Sequence, residues 1–410
     1  MPIVCEANRW RQGARTIKVA VIIPASWDSN DPSRFSVNVS LYIEAIVSTG
    51  NQPLLVCRDD SKYQVDYPIV AVPSLQFERA EFWRGLNLDI ALAFTWMRHT
   101  PMLRALQEAG VFVIAKGDND GMLSVRLFPQ HHYQMMMSGA TTPFAKARTL
   151  RHWMRRYLFL SAKTDAEVID SIASSNRVSV ETHSAKSHIE RLLTHYNRQD
   201  LADKLCVLPH LVADAILTAP VTIARQEKIV AIGRWDDPQK DAPLLARAMA
   251  AYLERRPNTQ IVLIGWGGGQ VFASLCRRFP QVSCVGAVPR EEIMRHLADA
   301  RILLVTSRWE SFHIAAHEAL CLGATVVGPA VIPIPDICHE GAYGTLAQGR
   351  RPRQVADAME QEMRYWEQER RNPEQIAAFW RPRLSADASV RQILQMAEQS
   401  PKYRPQVAQH

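Results

Sequence analysis

The chain has 410 residues, of which 47% are hydrophobic and 22% charged, and its 48 Lys plus Arg against 41 Asp plus Glu leave a net charge of +7. This composition can bury a core and excludes intrinsic disorder, and at roughly 100–200 residues per domain the length suggests about two domains. The mild basic excess favours anionic partners such as phosphates, nucleotides, nucleic acid or acidic lipid, without choosing among them.

The stretch from Met1 to Lys18 carries Glu6, Asn8, Arg9, Arg11, Gln12 and Arg15. It lacks the apolar core of a signal peptide. No run of 18 apolar residues follows anywhere, so no transmembrane helix is expected. Seven cysteines stand at 5, 57, 206, 276, 284, 321 and 338, with no Cys-x-x-Cys pair. That weighs against a zinc ribbon or a thioredoxin-like motif. Leu205-Cys206-Val207 and Ser283-Cys284-Val285 read as apolar runs in which Cys acts as a small hydrophobe. A reducing, cytoplasmic location is expected, with a peripheral place at the inner membrane face as a further option.

Short β-branched runs recur along the chain. They are Ile17–Ile23, Pro53–Cys57, Pro68–Val72, Asp89–Phe94, Val111–Ala115, Tyr157–Ser161, Arg177–Glu181 and Leu205–Leu208, then Lys228–Gly233, Gln260–Gly265, Val282–Gly286, Ile302–Thr306 and Thr325–Gly328. Most are continuous apolar runs, as strands buried on both faces of a parallel sheet require. Between them lie helical patterns at Asp241–Arg255, Glu291–Ala300 and Gln354–Arg370. The alternation predicts doubly wound α/β structure. It pauses at Pro209–Glu227, which has two prolines and no clear period. The expected division is therefore residues 1–215, residues 216–384, and a last helical stretch in 385–410, with Ser385–Gln399 crossing back onto the first domain.

Two stretches suggest chemistry. Lys228-Ile-Val-Ala-Ile-Gly-Arg-Trp-Asp-Asp-Pro-Gln-Lys240 places Arg234 just past a buried strand and Lys240 six residues later. Ligands bind at that edge of an open α/β sheet, and two cations there suit a diphosphate, although a solvated loop would read the same way. Glu310-Ser-Phe-His-Ile-Ala-Ala-His-Glu318 follows another strand and opens a helix near Phe312 or His313. The helix start favours a phosphate, with one carboxylate reaching hydroxyls on each side of it. The alternative is that both acids simply complement the helix dipole.

Together these stretches resemble the nucleotide-sugar-binding half of retaining glycosyltransferases of family four, which have the GT-B fold of two Rossmann-like domains facing across a cleft. The likeness runs from Lys228 to about Gly349. It includes Leu263-Ile-Gly-Trp-Gly-Gly-Gly269, Val285-Gly-Ala-Val-Pro289, the Glu-x7-Glu pair, Glu318-Ala-Leu-Cys-Leu-Gly-Ala-Thr-Val-Val327 and Pro335-Asp-Ile-Cys-His-Glu-Gly-Ala-Tyr-Gly344. The resemblance implies that Arg234 and Lys240 neutralise the donor diphosphate and that Glu318 accepts from ribose hydroxyls. Glu310 would hold the transferred sugar. Gly233, Gly265, Ser311, Phe312, His313 and Ile314 would surround sugar and phosphate, and Ala287 and Val288 would line the base pocket.

The first domain departs from the family pattern. Pro24–Asn38 has no glycine where a Gly-Gly turn is usual, and Lys116-Gly-Asp-Asn-Asp-Gly121 stands where a His often lies. Asp118 or Asp120 would take that place, facing sugar or acceptor. Asp118-Asn-Asp120 is also an Asp-x-Asp, yet Arg234 and Lys240 already supply positive charge, so no divalent metal and no other cofactor is expected. Adjacent His131-His132 lack a third ligand at suitable spacing. Lys146, Arg148, Arg151, Arg155 and Arg156, interleaved with Leu150, Trp153, Met154 and Tyr157, fit either an interfacial helix for acidic lipid or a solvated helix face. Nucleic acid is not an expected partner. The expected activity is metal-independent transfer of a sugar from a nucleotide-diphosphate sugar to an unidentified sugar, lipid-linked or protein acceptor, with retention. The alternatives are a nucleotide-sugar epimerase or hydrolase on the same fold, or a non-catalytic degenerate GT-B binding protein.

Overall fold

The computed structural model describes residues 16–25, 34–62, 67–338 and 341–400. The amino-terminal residues read above as lacking a signal sequence, through residue 15, and most of the loop after the first strand, residues 26–33, lie outside the described residues.

Among the described residues, seven strands form the first sheet: β1 (Lys18–Ile23), β2 (Gln52–Arg58), β3 (Ile69–Val72), β4 (Ile90–Phe94), β5 (Phe112–Lys116), β6 (Arg177–Val180) and β7 (Leu205–Val207). Six form the second: β8 (Gln226–Arg234), β9 (Gln260–Trp266), β10 (Val282–Gly286), β11 (Ala300–Leu304), β12 (Thr325–Pro329) and β13 (Gly344–Ala347). The orders are β3-β2-β1-β4-β5-β6-β7 and β10-β9-β8-β11-β12-β13. Every pairing in both sheets is parallel, as βαβ crossovers demand. Both sheets are doubly wound, with order reversing at β1/β4 and at β8/β11. This is the two-domain α/β architecture the residue pattern implies.

Three expectations need correction. Tyr157–Ser161 is not a strand. Residues Arg156–Leu160 form a π-helical turn that joins the helix Pro143–Arg155 to the helix Ser161–Ala173. No Gly or Pro interrupts that run, so helical continuity prevails over the β-leaning apolar cluster Tyr157-Leu-Phe-Leu160. Val282–Gly286 is a strand but lies at a sheet edge, and its Ser283 and Cys284 are exposed rather than buried. Cys284 Sγ lies 3.1 Å from Cys276 Sγ, a proximity invisible in the scattered spacing. The pattern also omits β13, whose Gly-Thr-Leu-Ala is too short and mixed to declare itself.

The last helix, Ala386–Glu398, is capped by Ser385, whose hydroxyl accepts from the Ala388 amide at 3.1 Å. It buries Val390, Ile393, Leu394 and Ala397 in the same core as Val19, Val21 and Ile23 of β1 and Tyr42, Ile43 and Ile46 of the helix Arg34–Ser48. Asp387 also accepts from Ser48 Oγ at 2.6 Å. The chain's end therefore completes the first domain's hydrophobic layer after the second domain has been built. Ile393→Ala should cost about 2–5 kcal/mol of stability, the usual range for a buried Ile truncation. Urea denaturation checks this, with exposed Arg391→Ala as the near-neutral control.

Candidate functional site at the domain cleft

A doubly wound sheet leaves a crevice at the strand carboxyl ends where the winding reverses, because the loops there turn to opposite faces. In the second domain that point lies between β8 and β11. Lys240 ends the short turn Pro238–Lys240 after β8, and Glu310 stands in the loop after β11. The structure brings the two together as an ion pair. Glu310 also accepts from Ser307 Oγ at 2.7 Å. Burial alone would raise the Glu310 pKa, but His313 and Lys240 beside it lower it, so the carboxylate stays ionised. The two loops are further tied by Arg308 N to Gln239 O at 2.7 Å, Gln239 Nε2 to Trp309 O at 2.8 Å and Thr306 Oγ1 to Lys240 O at 2.9 Å.

Sequence reasoning gives Lys240 and Glu310 separate duties and places both cations, Arg234 and Lys240, in an open cleft. The structure corrects the second point: the Lys240 side chain is only 16% exposed and shares its charge with Glu310. Arg234 is the open cation, 70% exposed and 3.0 Å from Asp237. The helix that follows starts at Ile314, one residue later than expected. His313, at φ 58°, caps it, its Nδ1 accepting from the Ala316 amide at 3.2 Å. Ser311 and Ile314 are half-buried and Phe312 is buried beside them. Glu318 is buried one turn into the helix and accepts from Arg290 at 3.2 Å. Ala287 is exposed and Val288 half-buried at the end of β10. Gly233 and Gly265 are paired across β8 and β9. A Cβ on Gly265 would lie 1.8 Å from the Gly233 carbonyl oxygen, and its φ of +124° excludes other residues, so this glycine answers to strand approach as much as to any ligand.

Across the cleft, β5 ends at Lys116, which is fully buried against Glu181 at 2.9 Å and the Leu208 carbonyl at 3.1 Å. Asp118, in left-handed backbone at φ 46°, is bonded to His210 Nε2 at 2.7 Å. Burial would raise the Asp118 pKa, yet His210 and Lys116 hold it at about 2. An ionised carboxylate only accepts, so His210 Nε2 carries the proton. His210 Nδ1 and Glu181 Oε2 are buried without a protein partner. The ligand atoms of Asp118, Glu181 and His210 lie within 4.8 Å of one another, close enough to share a cation, and the Lys116 ammonium already lies against that cluster. Asp120 accepts from His131 Nε2 at 3.0 Å and lines a cavity of about 610 Å³ between the domains. Ser184 and His188 line it from the first domain, and Arg308, Trp309, Glu310 and Arg350 from the second. That volume suits a small-molecule ligand.

Several residues of the site escape sequence reading. Arg350 donates to the Thr306 and Ser307 carbonyls at 2.7 and 2.6 Å and to Asp241 at 2.9 Å, fixing the loop before Glu310. Asp336 accepts from the Ser184 amide and hydroxyl at 3.0 and 2.8 Å, joining the domains at the start of the helix His183–His195. His210 belongs to the stretch read as a connection, and its ring meets Phe312 edge-on at 5.3 Å. Phe312 in turn stacks on His317 at 3.7 Å. Only Asp336 carried a signal, its place in the Pro335–Gly344 motif.

Two facing doubly wound domains with a polar cleft between them define the GT-B fold. Residues 226–364, which make up most of the second domain, match the family described as Glycosyl transferases group 1, in keeping with the resemblance read from the sequence. The D-inositol 3-phosphate glycosyltransferase of Corynebacterium diphtheriae is 31% identical over 132 residues, which are 30% of this chain and 31% of that protein. Its counterpart in Kribbella flavida is 31% identical over 150 residues, 33% of this chain and 35% of that one. The matched region thus spans about a third of these curated relatives. Similar solved structures include a glycosyltransferase from Rickettsia africae, with TM-score 0.65, 10% identity and coverage of 94% of this chain and 100% of that one. Anabaena HepE in complex with UDP-glucose gives 0.62, 14%, 94% and 100%. Sucrose-phosphate synthase from Thermosynechococcus elongatus gives 0.60, 15%, 93% and 98%. They share the fold.

His317 offers a pH test of the site's architecture. Full burial lowers its pKa from the ordinary 6.5 to about 3. The unfolded chain therefore binds a proton that the folded chain refuses, and stability is lost as pH falls from about 6.5 toward 3. His317→Gln should flatten this dependence between about pH 6.5 and 4.5, above the carboxylate range. Melting temperatures of both proteins across that window check it.

Proposed function

We propose that this protein transfers a sugar from a nucleotide-diphosphate sugar to an acceptor with retention of configuration. The observation that carries the reading is the meeting of Lys240, Glu310 and the His313-capped helix start at the β8/β11 switch point, inside the region that matches group 1 glycosyltransferases. In this reading the diphosphate lies at that helix start, where the helix dipole favours an anion. Lys240 swings part of its charge from Glu310 to the departing phosphate. Arg234, on its exposed stem, exchanges Asp237 for the same group. Glu310, relieved of part of its pairing, accepts hydroxyls of the transferred sugar. Glu318, paired with Arg290, accepts from the ribose, and Ala287 and Val288 flank the base. The complexes of HepE with UDP and UDP-glucose support a uridine nucleotide as the first donor to try.

Asp118 and Asp120 face this donor from the first domain. Asp118, clamped by His210, is a fixed negative charge near the reacting sugar, suited to a developing oxocarbenium-like centre. The positive charge near the diphosphate comes from Lys240 and Arg234, so the proposed reaction is metal-independent. The proposed setting is the cytoplasm.

Transfer or hydrolysis of radiolabelled UDP-sugars tests the activity, and binding without turnover would make the chain a non-catalytic GT-B protein. Lys240→Ala should lower turnover roughly 10²–10³-fold, the usual loss for a transition-state charge stabiliser. Because a lone buried Glu310 would itself destabilise the fold, the double variant Lys240→Met with Glu310→Gln is the companion: it should fold and remain equally inactive. Near-normal rates in either folded variant refute the assignment. Excess chelator should leave the initial rate unchanged, and a rate that collapses and recovers with magnesium or manganese would turn Asp118, Glu181 and His210 into a metal site.

A further inference from the structure

Three successive helical elements of the first domain, Pro129–Ser138, Pro143–Arg155 and Arg156–Leu160, bury no residue. Helices of a globular domain normally turn an apolar stripe inward. Here the apolar side chains point outward. Phe144 is 78% and Phe159 75% exposed, and Leu150, Met154, Leu158 and Leu160 are exposed with them. Beneath them Trp153 stacks on Tyr157 at 5.4 Å and meets Tyr133 edge-on at 5.5 Å, so the exposed set rests on an aromatic shelf.

The charge of this segment is equally unusual. From Gly121 to Thr164 there is no Asp or Glu, and seven cations: Arg126, Lys146, Arg148, Arg151, Arg155, Arg156 and Lys163. All but Arg156, which is half-buried, are exposed. The seven equal the net charge of the whole chain, and outside the segment basic and acidic residues balance at 41 each. Helical spacing sets Phe144, Ala147, Arg151, Met154 and Leu158 on one stripe, with Arg148 and Arg155 beside it.

We propose that this face docks on an anionic lipid bilayer, with Phe144, Phe159 and their apolar neighbours entering the acyl boundary and the arginines holding headgroup phosphates. Each half of the surface is explained only by a partner offering both features, and a bilayer interface does. A second copy of the chain does not. An isologous contact would press seven cations against the same seven, with no acid in the segment to pair them. The bound protein lies on the membrane without spanning it, since no helix among the described residues is long and apolar enough to cross one. The helix Pro129–Ser138 packs against the docking helix on one side and lines the interdomain cavity on the other, so docking sets the cleft one helix away from the lipid.

The test is co-sedimentation of the full chain with phosphatidylcholine vesicles, with and without about a third phosphatidylglycerol. Binding is expected to the anionic vesicles alone and to be released by about 0.5 M salt. Phe144→Ser with Phe159→Ser keeps all seven cations, and Arg148→Glu, Arg151→Glu and Arg155→Glu keep the apolar set. Each variant should lose binding roughly tenfold or more. Neither should lower the melting temperature, because these side chains touch no core. No binding to anionic vesicles in low salt overturns the proposal. So does binding that the Phe variant leaves intact, which would mark a general polyanion surface. A concentration-dependent dimer in light scattering that the Phe variant dissolves would assign the face to a second copy instead.

Discussion

The site depends on one topological constraint. From β8 the chain winds outward first through β9 and β10, then returns to build β11, β12 and β13 on the other side. Loops after β8 and β11 must therefore diverge to opposite faces of the sheet, and the crevice between them cannot be closed by either helix. Lys240 and Glu310 stand on those two loops, 70 residues apart in sequence. A buried carboxylate is costly unless paired, and Lys240, Ser307 and His313 pair it. The same electrostatic need makes the site adaptable. In the proposed reaction a ligand phosphate beside Lys240 would compete with Glu310 for one ammonium, and the carboxylate so released would become an acceptor for hydroxyls.

The first domain presents a second buried charge group on the opposite side of the cleft. Lys116, Glu181, Asp118 and His210 gather at the carboxyl ends of β5 and β6 and in the connection after β7. Their bonds link three chain segments, and His210 then touches Phe312 of the facing domain. Phe312 stacks on the neutral His317. A continuous file of packed rings thus runs from the Asp118 carboxylate to the helix that carries Glu318. Asp336 adds a direct polar contact between the domains at Ser184. The cleft walls are held at their bases while the cavity above them stays open to a ligand.

The helices after β5 follow a different rule from the rest of the chain. The last helix, by contrast, turns its apolar residues inward and completes the first domain's core from the far end of the sequence. The three helical elements between 129 and 160 bury no residue, and their exposed Phe144, Leu150, Met154, Leu158, Phe159 and Leu160 share the surface with cations and no acid. Interdomain cleft and outer face are adjacent, yet their physics is distinct: paired, desolvated charge in one, unpaired charge mixed with apolar surface in the other.

Most of the fold was legible because burial on both faces writes itself into a strand as a continuous apolar run. Ile229–Ala231, Ile261–Ile264 and Val326–Val327 declare the second sheet without any knowledge of partners. The motif residues at 234, 240, 310 and 318 were legible for a related reason, since each sits at a fixed offset from such a run. Tyr157–Ser161 misled because an apolar cluster alone does not distinguish a core strand from an exposed helical turn; only the surrounding packing decides which way Leu158 and Phe159 point. His210 and Arg350 were illegible because neither follows a pattern: each acts on residues brought near by sheet order, 92 positions away for Asp118 and 43 for the Ser307 carbonyl. Local periodicity determines which residues are buried, and by itself the sequence determined that. Which buried charges meet depends on the path by which strands are laid side by side, and only the tertiary structure decided it.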